Sequence, residues 1–216
     1  MRAPGIVALK VGARMIAVVA AGLALLSGCS AGNRSLESSS ASADPPASAP
    51  ASTSASAPSP TVYVPTSEKA PAQNVPVPMM PEAAKQQTKE GWEAFAKYYI
   101  DELNYMVETN DPSRVEALAS GACDFCRVEI HFTNFVAEQN QWPVDGVYSL
   151  HDMDALMALD REGNIGGNLK FSRQDYALAS DRGVLGTGKG IEPSVWYLQL
   201  TPVNSGWKVF QFGPAS

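Results

Sequence analysis

Histidine and cysteine are scarce in this 216-residue chain, which has two of the first and three of the second. So few metal-ligating side chains exclude a multi-zinc protein, and so few thiols exclude a disulfide-dense mini-protein. Basic residues are also in deficit, with 16 Lys and Arg against 22 Asp and Glu. Three of those bases, Arg2, Lys10 and Arg14, lie in the first 28 residues, which hold no acid, so the remainder is more acidic still. That balance excludes a nucleic-acid binder that works by displacing phosphate counterions, and a polybasic grip on anionic lipid. No internal repeat is present.

What is there begins with an address. Met15–Leu26 is an uncharged apolar run of 12 residues behind the three bases. It is too short for a permanent bilayer span but fits the h-region of a signal peptide, residues 1–28. The run ends in Leu26-Ser27-Gly28-Cys29, the pattern of a bacterial lipobox. Small residues at 27 and 28 let a peptidase hold an extended backbone, and the Cys29 thiol can take a lipid thioether. A diacylglycerol and fatty acyl (palmitate) anchor at Cys29 is the expected modification, and no other cofactor is expected. Each buried methylene of such an anchor contributes on the order of 0.8 kcal/mol. The expected location is the extracytoplasmic face of the cell membrane.

Residues 29–81 read as a tether. Positions 30–81 hold 10 Pro, 12 Ser and 10 Ala, and Tyr63 is their only aromatic. Such a stretch cannot bury enough apolar area to offset chain entropy, so a disordered linker is expected. About 135 residues, 82–216, remain for a globular domain.

Pro81 and Glu82 mark a helix start. Trp92, Phe95, Tyr99, Leu103 and Met106 form the apolar face of a long helix over about 82–108. Asp111 caps a short second helix, and Val115 and Leu118 face inward from it. A third helix over about 124–140 presents Phe125, Val128, Phe132 and Phe135/Val136. Alternation then points to a first strand from Val147 to Leu159, with a helix over 152–160 as a competing reading. Leu169 and Phe171 begin the next strand, which continues to Tyr176 and Leu178 past a bulge near Gln174. Gly183–Gly190 reads as a glycine-rich loop, not a phosphate loop, since no Ser or Thr follows Lys189. Trp196, Leu198 and Leu200 mark a third strand, Asn204-Ser205-Gly206 a hairpin turn, and Trp207–Phe212 the last strand. Helices followed by a meander give an α+β class: three N-terminal helices packed on a curved antiparallel sheet of about four strands.

The run Glu90–Phe95, with Tyr98-Tyr99, Leu103-Asn104-Tyr105, Asp111, Leu118 and Cys123-Asp124-Phe125-Cys126, resembles an actinobacterial lipoprotein family, domain-of-unknown-function family 6318. The resemblance covers the lipobox and about residues 76–213, and it implies no activity. At the level of architecture the element order also resembles the NTF2-like, cystatin-like cone, a fold that hosts both enzymes and adaptors.

Candidate chemistry is thin. Cys123 and Cys126 open the third helix. An oxidising compartment favours a local disulfide, a helix N-terminus favours a reactive thiol, and free thiols or a metal are further readings. A zinc quartet would need Cys123, Cys126, His131 and His151, but five residues along a helix turn His131 away from Cys126. His151, with Asp152 or Asp154 on the first strand and Tyr99 on the first helix, are the candidate pocket residues.

The leading reading is a membrane-anchored lipoprotein with a non-catalytic binding or adaptor domain. Its expected partners are an envelope protein or a small apolar ligand, and no nucleic acid. The alternatives are a small-molecule enzyme of the cone type using His151, and a thiol-disulfide protein using the Cys pair. A homodimer through the open sheet face would use Val195 and Tyr197.

Overall fold

A computed structural model describes residues 62–215. The signal segment, Cys29 and the tether up to residue 61 lie outside the described residues. The first described piece is a strap. Residues 62–74 fold back on themselves through a Val64–Gln73 bridge, and residues 75–81 run extended to a 3-10 turn at Glu82–Lys85. Although composition assigns this strap to the linker, it is tied down. Trp142 Nε1 donates to Ser67 O at 2.8 Å, and Arg114 donates to Pro78 O at 2.9 Å.

The long helix expected from residue 82 is broken. Helix α1 spans Lys89–Thr109, and Thr88 caps it by accepting from Gly91 N at 3.1 Å. Gly91 is needed there because the Gln86 carbonyl lies where its Cβ would be. Beyond the break the expected face holds: Trp92, Phe95, Tyr99, Leu103 and Met106 are all fully buried. Helix α2 is Ser113–Leu118, and Asp111 Oδ1 accepts from Ser113 N at 3.0 Å just before it.

Helix α3, Asp124–Glu138, is rotated from its expected setting. Its buried residues are Cys126, Glu129, Thr133 and Val136, while Val128 and Phe135 face solvent. A carboxylate takes the inward face because Arg173 meets it there, at 3.3 Å.

The strands are β1 Gln141–Asp145, β2 Tyr148–Leu159, β3 Ile165–Arg173, β4 Tyr176–Ser180, β5 Gly183–Gly188, β6 Ile191–Val203 and β7 Gly206–Pro214. They form two antiparallel sheets, ordered β2-β3-β6-β7 and β1-β4-β5. This overturns the expected single sheet of about four strands under three helices, and with it the cone. The helices are not stacked on one sheet, since α1 and α3 each reach β1 of the smaller sheet as well as a strand of the larger. The 152–160 segment is strand, not helix.

Two features of the sequence conceal the second sheet. The strand expected to run through Gln174 instead leaves the larger sheet there, and β4 begins the smaller one. The expected glycine-rich loop is mostly β5, an edge strand whose glycines lack the apolar bulk that marks a strand in sequence. All the sheet changes occur at one corner. Asp145 and Gly146 take positive φ, Gln174 N donates to Val147 O at 3.0 Å, and Asp175 accepts from Gly190 N at 2.8 Å.

The core lies between α1, α3 and the larger sheet. Phe125, Phe171, Trp196 and Phe212 meet there with ring centroids 4.9 to 6.5 Å apart, mostly edge to face. Such geometry adds about 0.5–1.5 kcal/mol per pair beyond area burial.

Candidate binding groove

One open groove of about 440 Å³ runs between the outer edge of α1 and the start of β2. The helix supplies Lys97, Asp101 and Asn104, spaced so that they share a face. The strand supplies Leu150 to Met153. Asn104 sets the spacing between the two. Its Nδ2 donates to Tyr148 O at 3.0 Å and its Oδ1 accepts from Tyr148 N at 2.6 Å, so one side chain replaces a missing strand partner.

A register shift between Leu150 and Asp152 leaves His151 without a partner residue on β3. Such a bulge re-aims side chains. His151 Nε2 lies 2.8 Å from Ser172 Oγ. Asp152 Oδ1 accepts from the backbone N–H of Met153 at 2.9 Å. Burial beside the helix raises the Asp101 carboxyl above its usual range, and the Lys97 ammonium opposes the rise.

Two of the four candidate pocket residues therefore meet at the groove, and two do not. Asp154 turns to Lys89, with 3.0 Å between Oδ1 and Nζ. Tyr99 is in the core, where its hydroxyl donates to Cys126 Sγ at 3.0 Å and burial holds its ionisation far above the ordinary range. Lys97, Asp101 and Asn104 were missed, although their helical spacing opposite the aromatic face was visible. The strap borders the same region: a second cleft lined by Tyr63, Val75 and Pro76 shares Asp101 and Asn104 with the groove.

Cys123 and Cys126 are joined by a disulfide, 0% and 1% exposed. Cys123 caps α3 by accepting from Cys126 N at 3.2 Å. Burial denies a thiol in solution an approach line to either sulfur. The quartet considered for zinc is not assembled, because His131 sits on the outward side of α3 and His151 beside Ser172. Among the described residues, no helix is long and apolar enough to cross a membrane.

A second buried centre joins the helices to the strap. Glu102 is fully buried and receives a two-pronged grip from Arg114, with 2.7 Å from Nε to Oε2. Desolvation, and secondarily the Glu102 carboxylate, push the Tyr98 hydroxyl up to about 12.

Among family models, one described as "Family of unknown function (DUF6318)" matches residues 61–183, more than half of the chain. Comparison with curated proteins finds no match. Among solved structures, the chain is similar to the intermembrane space region of the chloroplast protein ARC6, at 11% identity and TM-score 0.42, covering 61% of this chain and 99% of that one. It is also similar to Aln2 from a Streptomyces species, at 9% identity and TM-score 0.38, covering 59% of this chain and 92% of the other.

Proposed function

The chain belongs to the DUF6318 family, a family of unknown function, and from that premise we propose that it is a lipid-anchored binding protein of the bacterial cell envelope. Cys29 carries the anchor, residues up to 61 give reach, and the α1/β2 groove receives the partner. The anchor rests on the coincidence in sequence of basic residues, a 12-residue apolar run and the Leu26–Cys29 box.

The observation that favours binding over turnover is the open shape of the groove. The groove is open and polar at its rim, with Ile100 and Leu150 at its floor, which suits the surface of a protein better than a small molecule needing enclosure.

Two experiments test this reading. Cells fed a fatty-acid analogue should label the wild-type chain and leave Cys29→Ala unlabelled; equal labelling removes the anchor. A photo-reactive residue in place of Lys97 should give one discrete protein adduct in intact cells, and the same residue at Glu116 none. Turnover of an envelope small molecule that is abolished by His151→Ala would replace binding with catalysis.

A further inference from the structure

Helix α3 buries one side and leaves an apolar side uncovered. Cys126, Glu129, Thr133 and Val136 face the core. On the other side Val128 is 56% exposed and Phe135 51% exposed, and with Phe132 they line a shallow concavity of about 610 Å³ along the helix. Seven residues make nearly two turns, so Val128 and Phe135 lie within about 20° of one line. Through Phe132 the apolar surface continues to Leu185 on the edge strand β5. An edge without charge or proline, beside an exposed apolar helix face, is normally covered.

We propose that this face is the contact between two copies of the chain, with their α3 helices antiparallel across a twofold axis between residues 131 and 132. The charges on the rim select this arrangement. Arg127 and Glu138 lie on the same flank of the apolar line, about 20° apart, near opposite ends of the helix. An antiparallel partner places each Arg127 within about one turn of the other copy's Glu138, twice by symmetry. A parallel twofold partner would carry the second copy's flank to the opposite edge of the contact and leave Arg127 and Glu138 unpaired across it. The present partner of Arg127 is Asp124 at 2.7 Å, a solvated pair that costs little to redirect. The same axis puts Val128 opposite Phe135 of the second copy. The chain's own tether is a poor occupant, since residues 30–60 offer one large aliphatic residue, Leu36, and no aromatic. This contact differs from the Val195 and Tyr197 face expected from sequence.

The test uses the full chain in its membrane. Two differently tagged chains, one Val128→Cys and one Phe135→Cys, are produced together and mildly oxidised. Facing cysteines within about 7 Å form a bridge. The expected result is a covalent dimer carrying both tags, with either variant alone giving at least about fivefold less, because a cysteine and its symmetry mate lie about 10 Å apart along the axis. Arg127→Glu or Glu138→Arg alone should lower the yield about threefold, and the two together should restore it. An equal yield from Val128→Cys alone, adducts to other proteins in place of the double-tagged dimer, or a charge-reversed pair that does not recover would each overturn the proposal. These positions are exposed, so melting temperatures should stay at the wild-type value and separate lost contact from lost fold.

Discussion

The guanidinium of Arg173 lies 3.3 Å from the carboxylate of Glu129, and both side chains are almost wholly buried. The same guanidinium sits 5.0 Å from the ring centre of Tyr148 and 4.7 Å from that of Tyr176, and Nε donates to Gly146 O at 3.1 Å. Tyr148 belongs to the larger sheet and Tyr176 to the smaller, so one arginine at the end of β3 joins α3 to both. Beside it the Tyr148 hydroxyl is buried, and burial first, then the neighbouring Glu129 carboxylate, holds it protonated.

Arg173→Ala leaves the Glu129 charge buried and alone. Breaking such a pair costs about 3–5 kcal/mol. Urea unfolding should show that loss, and Glu129→Gln added to Arg173→Met should cost less than Arg173→Ala by itself. Equal costs would mean that the charge is not what Arg173 serves.

Gly91→Ala forces a methyl against the Gln86 carbonyl, which is backbone and cannot rotate away. The strain should cost about 1–3 kcal/mol despite the better helix propensity of alanine. A melting temperature at or above wild type would show that the turn at residues 86–88 yields freely.

Reduction of the Cys123–Cys126 bridge should be slow in the folded protein and fast in urea, because both sulfurs are buried. The loop it closes is short, so opening the bridge to two thiols, which keeps the Cys123 cap and the sulfur that Tyr99 meets, should cost no more than about 2 kcal/mol. Rapid reduction without denaturant would restore the redox reading.

The strap should loosen in alkali. Tyr63 donates to Glu108 Oε2 at 2.8 Å. Burial first, then Glu108, push its hydroxyl up to about 12 from the ordinary 10. The protonated form is the one the fold favours, so this contribution is complete below pH 10 and disappears as pH rises through about 12. Ultraviolet titration should lose one late tyrosine transition in Tyr63→Phe, and proteolysis of the wild-type strap should rise over the same range. An unchanged titration would place Tyr63 in water.

Asn104→Ala removes both hydrogen bonds that hold Tyr148 to α1. Leaving a buried backbone group unpaired costs about 1–3 kcal/mol. Amide exchange at Tyr148 should accelerate more than at Phe171; uniform acceleration would mean global rather than local loosening.

The core of α1 was legible because its aromatics repeat at helical spacing with nothing polar competing for that side. β6, the Asn204–Gly206 turn and β7 were legible for a similar reason, alternation bounded by a turn. α3 misled because apolar periodicity cannot register a buried ion pair whose second member, Arg173, lies 44 residues away. β1 passed unnoticed in five residues containing Pro143, and β5 in glycine. His151 and Asp152 line the groove by strand position, which alternation makes legible, while the Tyr99 hydroxyl lies in the core against Cys126. Asn104 stands in the Leu103-Asn104-Tyr105 run, but its service to a strand 44 residues on is tertiary.

The corner at Asp175 makes the β4–β5 hairpin a closed excursion. The chain leaves the larger sheet after Arg173 and returns at Ile191, two residues that already face each other across β3 and β6. Asp175 fastens the two crossing points to each other. The entropy of closing that loop is therefore met by the larger sheet, whatever the hairpin contains, and loop closure grows only slowly with length. Its tip at Asp181-Arg182 is a natural place for grafted sequence: an epitope or a reporter inserted there would leave the α1/β2 groove in register.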